Sequence, residues 1–198
     1  MRVHALIPVK ELAQAKSRLT PPFTGDERAA LVLAMLYHVI LAAQECDLLA
    51  RIIVISPDPT VLDHATAWGV ATLRQRTIGL NAALDEARAD AVEHGADAVL
   101  ALHADLPHAR PDEIARMIAL LPSPPAAVIA PDYTGTGTNA LLVAPPDSLP
   151  FHFGTASFAA HVAAAEQRGL RYVVAHLPGI AGDVDTPEDA RTLAERIP

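Results

Sequence analysis

The stretch ALIPVKELAQAKSRL, residues Ala5 to Leu19, joins a short apolar run to a loop rich in basic side chains. The apolar run from His4 to Val9 is typical of a buried strand, and Pro8 stands near its end, where a missing N–H costs little. In a chain of net charge −8, the loop that follows carries Lys10, Lys16 and Arg18. Basic residues beyond the carboxyl end of a first strand suit an anion such as a triphosphate, although a solvated surface loop can carry the same charges.

Length and composition restrict the class of protein. The 198 residues predict one domain spanning 1–198, and 51% of them are hydrophobic but only 4% aromatic. Aliphatic side chains must therefore form the core, which suits helices packed on a buried parallel sheet. A pI near 5.5 argues against nucleic acid as a partner. The sequence shows neither a signal peptide nor an apolar run of ~20 residues, and with its lone Cys46 it predicts a cytoplasmic protein outside any membrane.

Apolar runs and helical patterns alternate along the chain. A capping box, Thr24 followed by Glu27, begins the first helix, and Thr186-Pro187 begins the last. Six further apolar runs predict strands at 51–56, 70–74, 97–103, 126–130, 139–144 and 170–175. Helical patterns between them end at 68, cover 80–94, begin at 111 and cover 157–168. The alternation predicts the α/β class, with a mostly parallel central sheet flanked by helices.

Two acidic segments are candidates for metal binding. Asp105 directly follows an apolar strand, and ligands of open α/β sheets bind beyond the carboxyl ends of strands. Asp183 and Asp185 are separated by one residue, so in an extended segment both carboxylates point the same way. Such oxygen ligands suit Mg²⁺, although Asp105 could also be a turn residue and an aspartate near Thr186 could supplement a helix cap. A zinc site at His103 and His108 is disfavoured because no cysteine or close histidine pair accompanies them.

Three loops carry residues suited to an anion or a base. The segment GTGTNA at 135–140 precedes a strand instead of joining a strand to a helix, so it does not predict a dinucleotide site, but its backbone N–H groups suit a phosphate or carboxylate. The segment FGTAS at 153–157 opens a helix, where an anion is also favoured. Amide side chains in QRTIGLN, 75–81, could contact the edge of a base. An ordinary Thr or Ser cap would explain 153–157 equally well, and ordinary turn chemistry is the alternative for 75–81.

Together these segments resemble the phosphoenolpyruvate and 2-phospho-L-lactate guanylyltransferase family (CofC/FbiD) of coenzyme F(420) biosynthesis. The resemblance covers nearly the whole chain and is carried by IPVKELAQAKSRL at 7–19, QRTIGLNAAL at 75–84, LHADLP at 102–107, GTGTNALLV at 135–143, FGTASFAAH at 153–161 and DVDTPED at 183–189. AKSRL and ADLP are shared with the wider nucleotidyltransferase superfamily, whereas the pair GTGTNALL and FG..SF..H is more specific to this family.

The resemblance implies a Rossmann-like nucleotidyltransferase fold and the transfer of GMP from GTP to a small phospho-acid. The catalytic residues that it implies are Lys16, Arg18 and Asp105. For nucleotide binding it implies Lys10, Lys16, Arg18, Gln75, Gly79 and Asn81. It places the phospho-acid near Thr138, Gly154 and Ser157. It implies Mg²⁺ as the cofactor, bound by Asp105, Asp183 and Asp185.

The resemblance also implies partners and leaves some of them open. The product would pass to a downstream transferase that acts on the deazaflavin precursor, and a homodimer is one option for the assembly. Family members use phosphoenolpyruvate, 2-phospholactate or 3-phosphoglycerate, which differ by small groups that only the pocket shape can distinguish. Phosphoenolpyruvate is preferred because the Ala- and Arg-rich composition is typical of a bacterial protein.

Two other functions stay open on the residues alone. A molybdenum-cofactor cytidylyl- or guanylyltransferase usually has a glycine-rich first loop, whereas residues 10–18 contain no glycine. A non-catalytic nucleotide-binding protein would not need Lys16 together with the three aspartates. Mg²⁺-dependent release of pyrophosphate from GTP would distinguish an enzyme from such a protein.

Overall fold

The structure is a computed structural model that describes residues 1–14, 16, 23–184 and 189. The described strands are β1 Val3–Pro8, β2 Leu49–Ser56, β3 Ala71–Arg74, β4 Ala98–Leu102, β5 Ala126–Pro131, β6 Thr138–Ala144 and β7 Arg171–Val174. The described helices are α1 Gly25–Gln44, α2 Pro59–Ala67, α3 Leu80–Glu93, α4 Pro111–Ala119, α5 Ser157–Gln167 and α6 Pro178–Ala181. The predicted strands and helices before residue 176 are confirmed to within a few residues at each end.

The strands form one seven-stranded sheet in the order β3-β2-β1-β4-β6-β5-β7. Strand β6 is antiparallel to both of its neighbours, and the remaining pairs are parallel. The predicted mostly parallel sheet is therefore confirmed. Because β6 runs against the others, its first residue lies at the same edge of the sheet as the last residues of β1, β4 and β5. That edge gathers the loops that the sequence singled out.

The sheet divides the core into two layers. Along β1, Ala5 and Ile7 pack in the cluster that contains α1 and α4, whereas Leu6 packs in the cluster that contains α3 and α5. This alternation is the two-residue period of a strand buried on both faces. All seven residues of β6 are buried as well, so both faces of this antiparallel strand are covered.

Local sequence signals explain how individual helices begin. The capping box at α1 is confirmed, since Thr24 Oγ1 accepts from Glu27 N and the Glu27 carboxylate accepts from Thr24 N at 2.8 Å. Helix α2 begins after Asp58, whose carboxylate accepts from Thr60 N. The predicted last helix, from Thr186, lies outside the described residues apart from Asp189, which is helical. In the described part of the chain, no helix has the length and apolarity needed to span a membrane.

Candidate active site

An ion pair between two sequence-distant residues forms the centre of the site. Lys16 Nζ lies 2.5 Å from Asp105 Oδ2, and Lys16 adopts a left-handed backbone conformation with φ of 51°. Side-chain exposure is 9% for Lys16 and 26% for Asp105, so the pair is sheltered but can be reached by a ligand. Burial raises the pKa of Asp105, but the charges of Lys16 and then His103 outweigh it and hold that pKa below its usual range. Asp105 therefore carries its negative charge at neutral pH.

The beginning of the basic loop after β1 is bonded to the neighbouring strand and helix. Val9 N donates to Ile55 O at 2.9 Å, and Leu12 N donates to Asp58 Oδ2 at 3.0 Å. Asp58 thus holds the loop while also capping α2, a role that its place between two prolines did not reveal. Lys10 is exposed in the same loop. Arg18, the other predicted cation, lies outside the described residues.

The second acidic segment lies beside the first. Val184 N donates to the backbone carbonyl of Asp105 at 3.2 Å, which places the segment that contains Asp183 next to Asp105. Asp183 is held by the buried Asn139, whose Nδ2 donates to Asp183 Oδ1 at 3.2 Å and to Ile180 O at 2.9 Å. Asp185 lies outside the described residues.

Asn139 was not singled out from the sequence. A polar residue at the start of an otherwise apolar strand was the available signal.

The donor set fits a hard cation. Asp105 and Asp183 offer carboxylate oxygens from adjacent segments, which is the ligand type that Mg²⁺ prefers. The residues that the structure describes contain no group of three His, Cys, Asp or Glu side chains able to hold a metal. A Mg²⁺ ion here would therefore need further ligands from phosphate, water or Asp185. The Mg²⁺ site stays a prediction.

The loop of residues 75–79 is braced by side chains. Gln75 Nε2 donates to Thr77 O at 2.6 Å and to Gly79 O at 3.3 Å. The carboxylate of Glu86 accepts from Thr77 N at 2.7 Å, from Arg76 N and from the Thr77 hydroxyl. Gly79 has φ of 107°, a conformation that favours glycine. Glu86, which sequence reasoning missed, therefore fixes a loop predicted to hold the nucleotide.

Asn81 links α3 to the segment before α5. Its Oδ1 accepts from Phe153 N at 2.8 Å and its Nδ2 donates to Phe153 O at 3.0 Å. Both polar atoms of the amide are thus engaged with one backbone unit. A contact between Asn81 and a base stays a prediction, and the structure itself gives this side chain the role of holding Phe153.

The three residues predicted for the phospho-acid are brought together at the start of α5. Thr138 N donates to Ser157 Oγ at 2.8 Å, and Thr138 and Ser157 are only 1% and 2% exposed. Gly154 is exposed, has φ of 133° and has no atom near the position of a Cβ. Helix α5 has no side-chain cap; instead Ser157 N donates to Gly154 O and Phe158 N donates to Thr136 O, each at 3.2 Å, which ties the start of the helix to both loops.

His161 completes this cluster. Its Nδ1 lies 3.0 Å from Thr138 Oγ1, and its Nε2 accepts from His152 N at 2.9 Å. Burial, with the nearby His152 and His103, lowers the pKa of His161 to about 4. His161 is therefore neutral at pH 7. Its role was not predicted, although it is the last residue of the FG..SF..H pattern.

Comparison with known proteins identifies the family of this chain. The model of the family described as "Guanylyl transferase CofC like" matches residues 3–195. A phosphoenolpyruvate guanylyltransferase of Rubrobacter xylanophilus is 49% identical, over 98% of this chain and 94% of that protein. Another of the same name from Sphaerobacter thermophilus is 42% identical, over 100% and 95%.

A solved nucleotidyl transferase from Methanothermobacter thermautotroptrophicus has a similar fold, with a TM-score of 0.70 at 16% identity over 98% of this chain and 96% of that one. Its identity is too low to show more than the fold, which is the predicted Rossmann-like nucleotidyltransferase type. The family match and the two relatives carry the assignment: the chain belongs to the CofC-like guanylyl transferase family.

Proposed function

We propose that this protein transfers GMP from GTP to the phosphate of phosphoenolpyruvate and releases pyrophosphate. The observation that carries the proposal is the junction at Asp105, where its carboxylate meets Lys16 and its backbone meets the segment of Asp183. Cationic and acidic groups at one edge of a nucleotidyltransferase sheet suit a reaction on a triphosphate. Family membership and the names of the two relatives support guanylyl transfer and phosphoenolpyruvate.

The chemistry requires little proton transfer. A phosphate oxygen of the acid is already ionised near neutral pH, so it can attack the α-phosphorus of GTP without a general base. A new P–O bond forms as the bond between the α-phosphorus and the bridging oxygen breaks, and pyrophosphate leaves with that bridging oxygen. Catalysis then consists of alignment and charge neutralisation.

The ammonium group of Lys16 exchanges its partner when GTP binds. Without substrate its ammonium neutralises Asp105. With GTP bound, it contacts the triphosphate together with Lys10 and Arg18. A Mg²⁺ ion held by Asp105 and Asp183, with Asp185, would neutralise further charge on the phosphates. Asn139 keeps Asp183 beside Asp105 for that purpose.

The two substrates bind to different loops of the same edge. The guanine base of the nucleotide lies at the loop of Gln75 and Gly79, beside Asn81. The phospho-acid lies at the segment of Thr138, Gly154 and Ser157. Asn81 connects the two regions by holding the backbone of Phe153. A bridge of this kind keeps the acid at a fixed distance from the nucleotide.

The product of this reaction is a guanosine diphospho-linked acid. A diphosphate of this type is an activated donor, so a downstream transferase would consume it to extend the deazaflavin precursor of coenzyme F(420). We place the reaction in the cytoplasm, with a homodimer as one option for the assembly.

A pyrophosphate-release assay that pairs each nucleoside triphosphate with each phospho-acid tests the proposal. We expect release to require both GTP and phosphoenolpyruvate, and to be much slower with 2-phospholactate or 3-phosphoglycerate. Asp105→Asn is the matched control, because it keeps the shape of the side chain but removes its charge. Preference for CTP or for a pterin substrate would instead indicate a molybdenum-cofactor enzyme, and no release with any pair would indicate a binding protein.

A further inference from the structure

The buried histidine on α5 has a defined direction of hydrogen bonding. His152 N donates to Nε2 of His161, so Nε2 carries no hydrogen. In a neutral ring the hydrogen must then reside on Nδ1, which lies 3.0 Å from Thr138 Oγ1. Thr138 Oγ1 can therefore only accept from His161, whose ring also has a hydrogen bond with the backbone of Ser157, and the tautomer is set by a backbone N–H that cannot reverse its direction.

The hydroxyl of Ser157, like that of Thr138, accepts a hydrogen bond from the protein. Thr138 N is also a donor that cannot reverse, and it gives its hydrogen to Ser157 Oγ at 2.8 Å. Both hydroxyl oxygens thus accept hydrogen bonds from groups of the protein. Each hydroxyl keeps its own hydrogen for another acceptor.

We propose that His161 is a positioning residue that turns the Thr138 hydroxyl into a hydrogen-bond donor for the anionic phospho-acid. Ser157 Oγ accepts from Thr138 N–H in the same way, so both hydroxyls keep an O–H donor for a carboxylate or phosphate. Thr138 and Ser157 are only 1% and 2% exposed, and the acid reaches them from the side of the exposed Gly154. The inference rests on the proposed function, since it concerns the acid subsite of that reaction. His161 itself is fully buried and acts only through Thr138.

The surroundings of His161 restrict any other arrangement of the ring. Phe153 contacts it edge-on at 4.9 Å between ring centroids, and Phe153 is in turn held by Asn81. The ring of His103, two residues before Asp105, also packs against Phe153, with 5.1 Å between the ring centroids. Phe153 and the two hydrogen bonds thus hold the ring of His161 in place beside Thr138.

Two substitutions separate the positioning role from a packing role. His161→Asn can retain a donor near the place of Nδ1, whereas His161→Leu keeps volume but has no donor. We expect His161→Leu to raise KM for phosphoenolpyruvate about 10-fold or more, with KM for GTP within about threefold. His161→Asn should recover most of that loss. His4→Leu, at a buried histidine of β1, is the matched control for general destabilisation and should move neither KM.

A double-mutant cycle identifies the group through which His161 acts. In a Thr138→Val background, His161→Leu should cause little further increase in KM for the acid, because the hydroxyl it orients is gone. Fully additive effects, equal effects on both substrates, or an unchanged KM for the acid would overturn the proposal. An inactive wild-type enzyme would instead refute the proposed function.

The tautomer can be measured on the wild-type protein without substrate. Nitrogen-15 NMR of the histidine rings at pH 7 should show one buried ring with a hydrogen on Nδ1 and none on Nε2. A hydrogen on Nε2 of His161 would overturn the inference even if every variant failed to fold.

Discussion

The burial of His161 makes the stability of the fold sensitive to acid. Its pKa is lowered from 6.5 to about 4 in the folded chain, mainly by burial and then by His152 and His103. Between these two values the unfolded chain binds a proton that the folded chain excludes, so the stabilisation is present above pH 6.5 and is lost as the pH falls towards 4.

The loss can be worked out from that shift. One pKa unit corresponds to about 1.4 kcal/mol, so the full difference is about 3 kcal/mol, and between pH 7.5 and 4.5 most of it, about 2.5 kcal/mol, should disappear. A protonated Nε2 would also oppose the N–H of His152, which gives the loss a structural cause.

Urea unfolding of the wild type and of His161→Asn at pH 7.5 and 4.5 measures this contribution. We expect the wild type to lose about 2.5 kcal/mol more of its free energy of unfolding than the variant over this interval. The comparison cancels the titration of His4, whose pKa is also lowered by burial and is common to both proteins. Parallel losses in the two proteins would show that His161 is protonated in the fold and would refute the reasoning.

The other predictions concern the catalytic edge and the nucleotide loop. Lys16→Ala should lower kcat/KM for GTP by ~10²-fold, because it removes a charge that stabilises the triphosphate; steady-state kinetics would show no change if Lys16 only neutralised Asp105. Asp105→Asn should abolish turnover with an unchanged circular dichroism spectrum, and near-normal turnover at saturating Mg²⁺ would argue against its role. Asn139→Leu should raise the Mg²⁺ concentration needed for half-maximal rate, because Asp183 loses a hydrogen bond worth about 1–3 kcal/mol; an unchanged Mg²⁺ dependence would contradict this. Glu86→Gln should raise KM for GTP several-fold and leave KM for the acid unchanged, whereas equal changes would assign Glu86 to general stability.

The sequence predicted the elements whose signals are local. The Thr24 and Glu27 capping box needed only residues three apart, and each strand was a compact apolar run. The antiparallel direction of β6 could not be predicted, because its two faces are both buried and its seven residues therefore lack an alternating pattern. Helix α6 is four residues long, too short for a periodic signal.

In the candidate site, too, the residues in recognisable local segments were predicted, whereas those that act through tertiary contacts were not. Asp105 and Asp183 follow recognisable segments and were predicted from them, and the backbone contact between Asp105 and Val184 shows that the two segments are adjacent. Asn139 and His161 act on partners 44 and 23 residues away, so their roles depend on tertiary contacts that no local pattern encodes. The residues that hold others in place are thus the ones that only the folded structure identifies.

Isotope tracing can show whether the phosphate of the acid attacks the α-phosphorus of GTP. Phosphoenolpyruvate with oxygen-18 in the non-bridging positions of its phosphate is incubated with GTP and the enzyme. Mass spectrometry then measures the oxygen-18 content of both products. We expect a guanosine diphospho-linked acid that retains every label and a pyrophosphate that contains none. Label in free phosphate or pyrophosphate, or GMP without a labelled adduct, would contradict it.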